Sequence, residues 1–219
     1  MRLSILVVSC NPSLLNGMLN SLATATRLDT SEIEILCSWN GDETAEKNIQ
    51  NTSGYEFLIA QRVPYHFAGN MNSLAEKANG EILLLINDDI ILDPDSIDQG
   101  INSLTNQSKS GIIGANLRDE NNQLSHCGMS FDSRHSPYHK FEGLIKNEDR
   151  KWVNIIEEVA ASTGALFLIT KHNFSKLLFN ETYKICGEDV ELCLDLREKL
   201  DLKVYICQSL SGIHSVSKT

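Results

Sequence analysis

Residues 80–97 read GEILLLINDDIILDPDSI, and this stretch carries most of the information about the fold. Its apolar run at residues 82–86 has the length of a buried strand and no polar alternation, which is typical of a parallel sheet covered by helices on both faces. Asp93-Pro94 then marks the start of a predicted helix over about residues 97–104. The polar triplet Asn87-Asp88-Asp89 lies between the two, at the carboxyl end of the predicted strand.

Four further apolar runs have the same strand-like character, at residues 3–8, 33–37, 56–60 and 111–115. They recur every 25 to 30 residues or so, which is about the spacing of strands separated by helices. A stripe of apolar residues behind Asn11-Pro12-Ser13 predicts a helix after the first strand, and another stripe stops at Asn79-Gly80. The sequence therefore predicts an α/β half over about residues 1–116, with a mainly parallel sheet.

The regular alternation ends after Asn116. Residues 124–131 resemble a hairpin, and residues 132–150 are polar and aperiodic, which predicts a partly mobile loop suited to act as a lid over an acceptor. A strand over residues 159–170, broken at Ser162-Thr163-Gly164, precedes helices over 171–178 and 188–200 and a strand over 204–207. No linker divides the chain, so we expect one domain over residues 1–219, with an acceptor-side half from about residue 117.

Composition excludes several classes of protein. The formal charge is −10, with 29 acidic and 19 basic residues, so neither nucleic acid nor an anionic membrane is an expected partner. No apolar run approaches the roughly 20 residues of a transmembrane helix, and we expect a cytoplasmic protein. The six cysteines form no CxxC pair and are expected to be free, buried thiols.

Two acidic clusters are candidates for chemistry. Asp88 and Asp89 follow a predicted parallel strand at the edge where such sheets bind ligands, and paired carboxylates suit Mg²⁺ or Mn²⁺ beside substrate phosphates. Glu188 and Asp189 open a predicted helix, between the strand break and His214. Each cluster also has a structural interpretation, since acidic residues are favoured in turns and in the first turn of a helix. Taken alone, His214 is more often an ordinary surface histidine than a ligand.

Six short segments occur along the chain in an order and at a spacing that allow comparison with known folds. They are residues 6–11 (LVVSCN), 38–41 (SWNG), 67–72 (FAGNMN), 84–89 (LLINDD), 161–165 (ASTGA) and 187–193 (GEDVELC), and His214 and Ser217 extend the set. With them the chain resembles glycosyltransferases of the GT-A fold, close to family 2 and its rhamnosyltransferase-like members. In that fold a nucleotide-binding βαβ half with a mainly parallel central sheet merges into an acceptor-side half with a small antiparallel element.

The resemblance also implies a reaction and a site. A hexose or deoxyhexose would move from a nucleotide-diphosphate sugar to a hydroxyl of a glycan, lipid-linked or polysaccharide precursor, with a divalent metal, Mn²⁺ or Mg²⁺, on the diphosphate. The implied metal ligands are Asp89, Asp88 and His214. The implied donor-binding residues are Ser9, Asn11, Asn40, Gly69, Asn72 and Asp88. Asp189 is the implied catalytic base, with Glu188 as the alternative. Asn87 departs from the family pattern, because many relatives have an acidic residue at this position.

Transfer of a glycosyl group with inversion needs two functions, and the two acidic sites can supply them. One carboxylate takes the proton of the acceptor hydroxyl, and a metal site stabilises the departing diphosphate. Neither GxGxxG nor GxxxxGKS follows the first strand, which argues against Rossmann dehydrogenases and P-loop enzymes. Two alternatives stay open at this point: a degenerate domain that binds nucleotide or glycan without turnover and, with less support, a sugar nucleotidyltransferase.

Overall fold

The computed structural model describes residues 1–149 and 156–215, and Arg150 and Ser217 lie outside them. The first half of the described chain alternates strands and helices. Its elements are β1 (Leu3–Ser9), α1 (Pro12–Ala25), β2 (Ile33–Trp39), α2 (Glu43–Glu46), β3 (Glu56–Arg62), α3 (Phe67–Lys77), β4 (Ile82–Asn87), β5 (Ile90–Leu92), α4 (Ser96–Asn106) and β6 (Ser110–Arg118).

The second half contributes shorter strands and two more helices. Its elements are β7 (Leu124–His126), β8 (Met129–Phe131), β9 (Pro137–His139), β10 (Ile156–Val159), β11 (Leu166–Thr170), α5 (Lys171–Leu177), α6 (Glu188–Leu200) and β12 (Lys203–His214). Short 3-10 turns cover Thr30–Glu32 and Asn147–Asp149.

One sheet unites both halves. Its strand order is β10-β12-β6-β11-β4-β1-β2-β3, with β5 paired to β12 and β7 paired to β6. The strands β4, β1, β2 and β3 are parallel to one another, as the sequence predicts. β11 lies between β4 and β6 and is antiparallel to both, so the chain inserts a strand from its second half into the centre of the sheet.

The continuous apolar runs are explained by burial on both faces of the sheet. In β1, Leu3, Ile5 and Val7 pack into one core cluster, while Leu6 and Val8 pack into the other. Helices α1 and α4 cover the first face, and α3, α5 and α6 cover the second. A strand in this position has no solvated side, which is why hydrophobic residues occupy successive positions.

Glycine occurs in the turn after α3, but for a different physical reason than the sequence predicts. α3 ends at Lys77, and its C-cap Ala78 is extended, so Gly80 does not terminate the helix by adopting a left-handed conformation. A Cβ at Gly80 would instead lie 2.5 Å from the backbone nitrogen of Ser4. Glycine is therefore required here by close approach of the chain to β1.

The second half corrects several predictions. The expected hairpin over residues 124–131 is wrong, because β7 pairs with β6 and β8 pairs with β9 in a separate two-stranded sheet. The loop expected over residues 132–150 begins with a turn and a strand, β9. The Asp132 carboxylate accepts the N–H groups of Arg134 and Ser136, and these hydrogen bonds close the turn between β8 and β9. The lid role of residues 132–150 stays a prediction.

Other differences concern strand lengths and cysteines. β12 runs on to His214 rather than ending at residue 207, and β5 was not predicted at all. Of the cysteines, Cys10 and Cys186 are exposed, so the expectation of buried thiols is wrong for these two. No helix within the described residues combines the length and the apolar character that a membrane crossing requires.

Candidate active site

Parallel pairing of β1 with β4 brings the first acidic cluster to Ser9. Val8 lies opposite Asn87 in the register, so the two strands end side by side. The Ser9 hydroxyl donates to Oδ2 of Asp88 at 2.6 Å. Burial raises the pKa of the Asp88 carboxyl to about 6, against the opposing effect of the Ser9 hydrogen bond and with a further upward contribution from the charge of Asp89.

Asp89 has an oxygen without a protein hydrogen bond. The side chain is 7% exposed, and its buried Oδ1 has no hydrogen-bond partner. Nε2 of His214 lies 3.4 Å from that oxygen, because β12 pairs with β5 and places His214 opposite Ile90. A buried polar atom left unpaired is costly unless something binds it. A carboxylate oxygen is a ligand that Mn²⁺ and Mg²⁺ both favour, and an imidazole beside it suits a transition-metal ion such as Mn²⁺ better than Mg²⁺.

These residues do not form a complete metal cage. Within residues 1–149 and 156–215, no group of three or more His, Cys, Asp or Glu side chains is placed to hold a metal ion. A cation at Asp89 and His214 would therefore take its remaining ligands from water or from a bound phosphate group. Divalent-cation sites in phosphate-processing enzymes are commonly completed in this way, with water and oxygens of the substrate beside one or two protein carboxylates.

A cleft of about 430 Å³ opens over the ends of β1 and β4. We call it the β1–β4 cleft; its lining residues are Val8, Ser9, Cys10, Asn40, Tyr65, Phe67, Asn87, Asp88 and Asp89. It lies at the carboxyl edge of the parallel strands, where open α/β sheets bind their ligands. Asn40 is held at the rim by its amide, which donates to the carbonyl oxygen of Val63 at 2.5 Å.

A second, smaller cleft adjoins the first. We call it the α6 cleft; its lining residues are Tyr65, Phe67, Asn87, Thr163, Gly164, Ala165, Ile185, Glu188, Asp189 and His214. Tyr65, Phe67 and Asn87 line both clefts. The two predicted acidic clusters therefore face two adjoining spaces with a common wall.

The second acidic cluster is fixed by backbone donors. Asp189 accepts the N–H of Gly164 on Oδ2 at 2.7 Å and the N–H of Val190 on Oδ1 at 2.8 Å, and its side chain stays partly exposed. The strand break predicted before β11 thus supplies a donor to the carboxylate. Glu188 is buried at 8% exposure, and this burial raises the pKa of its carboxyl. Of the two acids, Asp189 is the more accessible to a ligand.

Three of the implied donor-binding residues lie elsewhere. Asn11 caps α1, where its Oδ1 accepts the N–H groups of Ser13 and Leu14. Gly69 and Asn72 lie inside α3 and line a different cavity of about 550 Å³ between α3 and α5. The β1–β4 cleft contains Ser9, Asn40 and Asp88, but not these three.

No role is predicted from the sequence for Tyr65 or Phe67, two of the three residues that line both clefts. Tyr65 is 66% exposed although it is a large aromatic residue, and Phe67 follows it at the first position of α3. Both come soon after β3, at the same sheet edge as Ser9 and Asp88. Two aromatic residues behind Pro64 at a strand end were the available signal, because exposed aromatic rings in loops at such an edge are typical of binding sites.

Comparison with known proteins identifies the family of the chain. The profile of the family described as "Glycosyltransferase like family 2" matches residues 2–210. The chain belongs to this family. A relative of this family 2 chain is the O-antigen biosynthesis protein RfbC of Myxococcus xanthus, which is 27% identical over 220 residues. That match covers 94% of the present chain and 16% of the relative, so the chain spans about a sixth of the length of this curated protein.

Solved structures establish the fold of the family 2 chain as GT-A. GalNAc-T7 with UDP, GalNAc and Mn²⁺ superposes with a TM-score of 0.74 at 14% identity, over 98% of this chain and 44% of that one. A mannosyltransferase from Pyrobaculum calidifontis in complex with GDP-Man and Mn²⁺ gives 0.70 at 12% identity, over 99% and 57%. TarS 1-349 of S. aureus with UDP gives 0.67 at 14% identity, over 99% and 61%.

Proposed function

We propose that this chain transfers a hexose or deoxyhexose from a nucleotide-diphosphate sugar to a hydroxyl group, with inversion at the anomeric carbon. The observation that carries the proposal is the pair of adjoining clefts. Asp88 and Asp89 face one of them, Asp189 faces the other, and Asn87 is common to both. A reaction between two substrates needs two such spaces that meet at the reacting atoms.

The β1–β4 cleft is the proposed donor site. Its polar groups, Ser9, Asn40 and Asp88, suit the hydroxyl and amide groups of a nucleoside, and the ring of Tyr65 offers a face for stacking. Asp89 and His214 would hold the divalent cation, since the buried Oδ1 of Asp89 accepts no hydrogen bond from the protein and lies 3.4 Å from Nε2 of His214. When bound there, the cation supplies positive charge that stabilises the departing diphosphate. The proposed donor site does not include Asn11, Gly69 or Asn72, because these residues do not line the cleft.

Asp189 is the proposed base. Its carboxylate takes the proton from the acceptor hydroxyl while that oxygen forms a bond to the anomeric carbon and the bond to the diphosphate breaks. The N–H groups of Gly164 and Val190 occupy two of its roughly four lone-pair directions and fix its orientation, which leaves the others for the acceptor. Glu188 is less suited to the task, since it is buried and burial favours its neutral form.

The acceptor is proposed to be a saccharide of a surface polysaccharide or its lipid-linked precursor. Support comes from the relative in O-antigen biosynthesis and from the exposed Ile185 and Tyr65 at the α6 cleft. Apolar and aromatic side chains beside a carboxylate suit a sugar ring, which has apolar faces and polar edges.

A binding screen followed by a turnover assay tests the proposal. Thermal unfolding is measured with UDP, GDP and their sugars, with and without Mn²⁺. A ligand at 100 times its Kd stabilises by about 2.7 kcal/mol, which corresponds to roughly 5–11 °C for a domain of this size. The nucleotide-sugar with the largest shift is then incubated with Mn²⁺, and release of nucleoside diphosphate is followed by chromatography. The absence of both a shift and release across the panel would refute the proposal.

One observation favours a second candidate, a domain that binds nucleotide without turnover. Asn87 stands where the resemblance implies an acid, and within the described residues no third His, Cys, Asp or Glu joins Asp89 and His214 to hold a metal ion. Manganese-dependent nucleotide binding with no release of diphosphate from any tested sugar would identify this case.

A further inference from the structure

The side chain of Asn72 uses most of its hydrogen-bonding capacity on a loop that lies far away in sequence. Its Oδ1 accepts the N–H of Phe179 at 2.9 Å, and its amide donates to the carbonyl oxygen of Phe179 at 2.9 Å and to Oε1 of Glu181 at 3.0 Å. The side chain is 8% exposed. An Asn side chain makes at most about four hydrogen bonds, so little capacity is left for a nucleotide.

His66 makes a second connection between α3 and the same loop. Its Nδ1 accepts the N–H of Gly69 and thereby caps α3. The proton of the neutral ring then lies on Nε2, which is 3.2 Å from the carbonyl oxygen of Tyr183 and donates to it. Residues 178–187, which we call the α5–α6 loop, are thus tied to α3 at Phe179, Glu181 and Tyr183.

The loop leads directly to the proposed base. Gly187 precedes Glu188 and Asp189 with a φ of +112°, and a Cβ there would lie 2.6 Å from the ring of Tyr183. The position of Tyr183 is therefore coupled to the backbone turn that begins α6. Ile185, between them, is 90% exposed and lines the α6 cleft.

The loop is also attached to the common wall of the clefts. Phe179 is 3% exposed, and its ring centroid lies 5.7 Å from that of Phe67. Phe67 is the residue that follows His66 and lines both clefts. The hydrogen bonds of His66 and Asn72 and this ring contact therefore connect the loop, α3 and the common wall of the clefts.

We propose that His66 and Asn72 are positioning residues, which hold the α5–α6 loop so that Asp189 and the acceptor wall at Ile185 keep their places. This role deepens the proposed function and rests on it. It replaces the donor-binding role that the resemblance implies for Asn72. His66 and Asn72 act through the loop and touch neither substrate.

The test separates the loop contact from helix capping. Asn is among the preferred N-cap residues, so His66→Asn keeps an acceptor for the Gly69 N–H while its shorter side chain loses the donor to Tyr183. Asn72→Ala removes the other tie. Asn51→Ala is the matched control, because the Asn51 amide likewise holds a backbone carbonyl, that of Tyr55, outside the α5–α6 loop.

Three measurements are made on each full-length variant. Hydrogen exchange is followed across residues 178–187, the Kd of UDP and of GDP is measured with Mn²⁺, and kcat and KM are determined for the nucleotide-sugar that the wild-type protein turns over. We expect both loop variants to exchange at least tenfold faster in the loop, to bind nucleotide within twofold of wild type, and to lose at least tenfold in kcat with donor KM unchanged. Asn51→Ala should change none of these.

Two results would overturn the proposal. A tenfold weaker nucleotide Kd for Asn72→Ala, with loop exchange unchanged, would make Asn72 a donor ligand. Unchanged exchange and unchanged kcat in His66→Asn would remove its positioning role. If the wild-type protein turns over no nucleotide-sugar, the proposed function fails, and exchange together with nucleotide binding still decides whether the two residues hold the loop.

Discussion

Replacement of Asp189 by Asn has two separable consequences that follow from its contacts. Asn keeps the shape of the side chain but cannot accept the acceptor proton. General-base catalysis contributes about 10² to 10⁴ in rate, so kcat should fall by that factor, equivalent to about 2.7–5.4 kcal/mol of barrier. Donor KM should change little, because Asp189 lines the α6 cleft and not the β1–β4 cleft.

The same change should also reduce stability slightly. Both carboxylate oxygens of Asp189 accept backbone N–H groups, those of Gly164 and Val190. In either orientation of the Asn amide, one of these N–H groups would face the NH₂. An unpaired backbone donor costs about 1–3 kcal/mol, and the partly exposed site favours the lower end. For a domain of this size, a loss of about 1 kcal/mol lowers Tm by about 2–4 °C.

The assay compares Asp189→Asn with Glu188→Gln in turnover of the active nucleotide-sugar and in thermal unfolding. Glu188→Gln should cost less than tenfold in kcat. A greater loss of activity in Glu188→Gln than in Asp189→Asn would make Glu188 the base and refute the assignment of Asp189. An equal Tm for Asp189→Asn and wild type would contradict the hydrogen-bond argument alone.

Three further predictions follow from other contacts. Removal of metal by EDTA and the substitution Asp89→Asn should each abolish transfer while Tm without nucleotide stays within about 3 °C of wild type; full activity in EDTA would exclude the metal. UDP or GDP with Mn²⁺ should protect Cys10, which lines the β1–β4 cleft, from alkylation, with exposed Cys186 as the internal control; equal labelling with and without nucleotide would place the donor elsewhere. Burial raises the pKa of Glu34, but hydrogen bonds from Ser4, Asn79 and Gly80 lower it more, to a value below the usual 4.5. The folded-state pKa is depressed, so this stabilisation is present above about pH 4.5 and is lost as pH falls through the folded pKa. Glu34→Gln should therefore lower Tm at pH 7, and its Tm should converge with that of wild type as the pH falls through the folded-state pKa of Glu34.

The first half of the fold was predictable because its strands are buried on both faces. Continuous apolar runs at β1, β2 and β4 leave few alternatives to a parallel sheet under helices. The order of these strands in space was not readable from the runs. In particular, nothing in the residues of β11 distinguishes a strand that inserts between β4 and β6 from one at an edge, because pairing partners are set by the whole sheet.

The site was predictable where a residue lies at a strand end. Ser9, Asp88 and Asp89 follow β1 and β4, and parallel pairing of those strands suffices to bring them together. The same reasoning does not reach Asn72, because it lies inside α3 and not at a strand end. Its position in a family-like segment carries no information about which distant backbone its amide faces, and here that backbone belongs to Phe179, over a hundred residues later.

The place of β11 also determines how the gene can be divided. A split after Asn116 looks natural from the sequence, yet it would leave β4 and most of β6 in one fragment and the strand that joins them in the other. Each fragment would expose unpaired N–H and C=O groups along an apolar strand, which invites aggregation. Neither piece is a module that can be shuffled between enzymes. Co-expression of the two fragments should restore the protein only by fragment complementation. In that case the second fragment supplies β11, which inserts between β4 and β6 of the first.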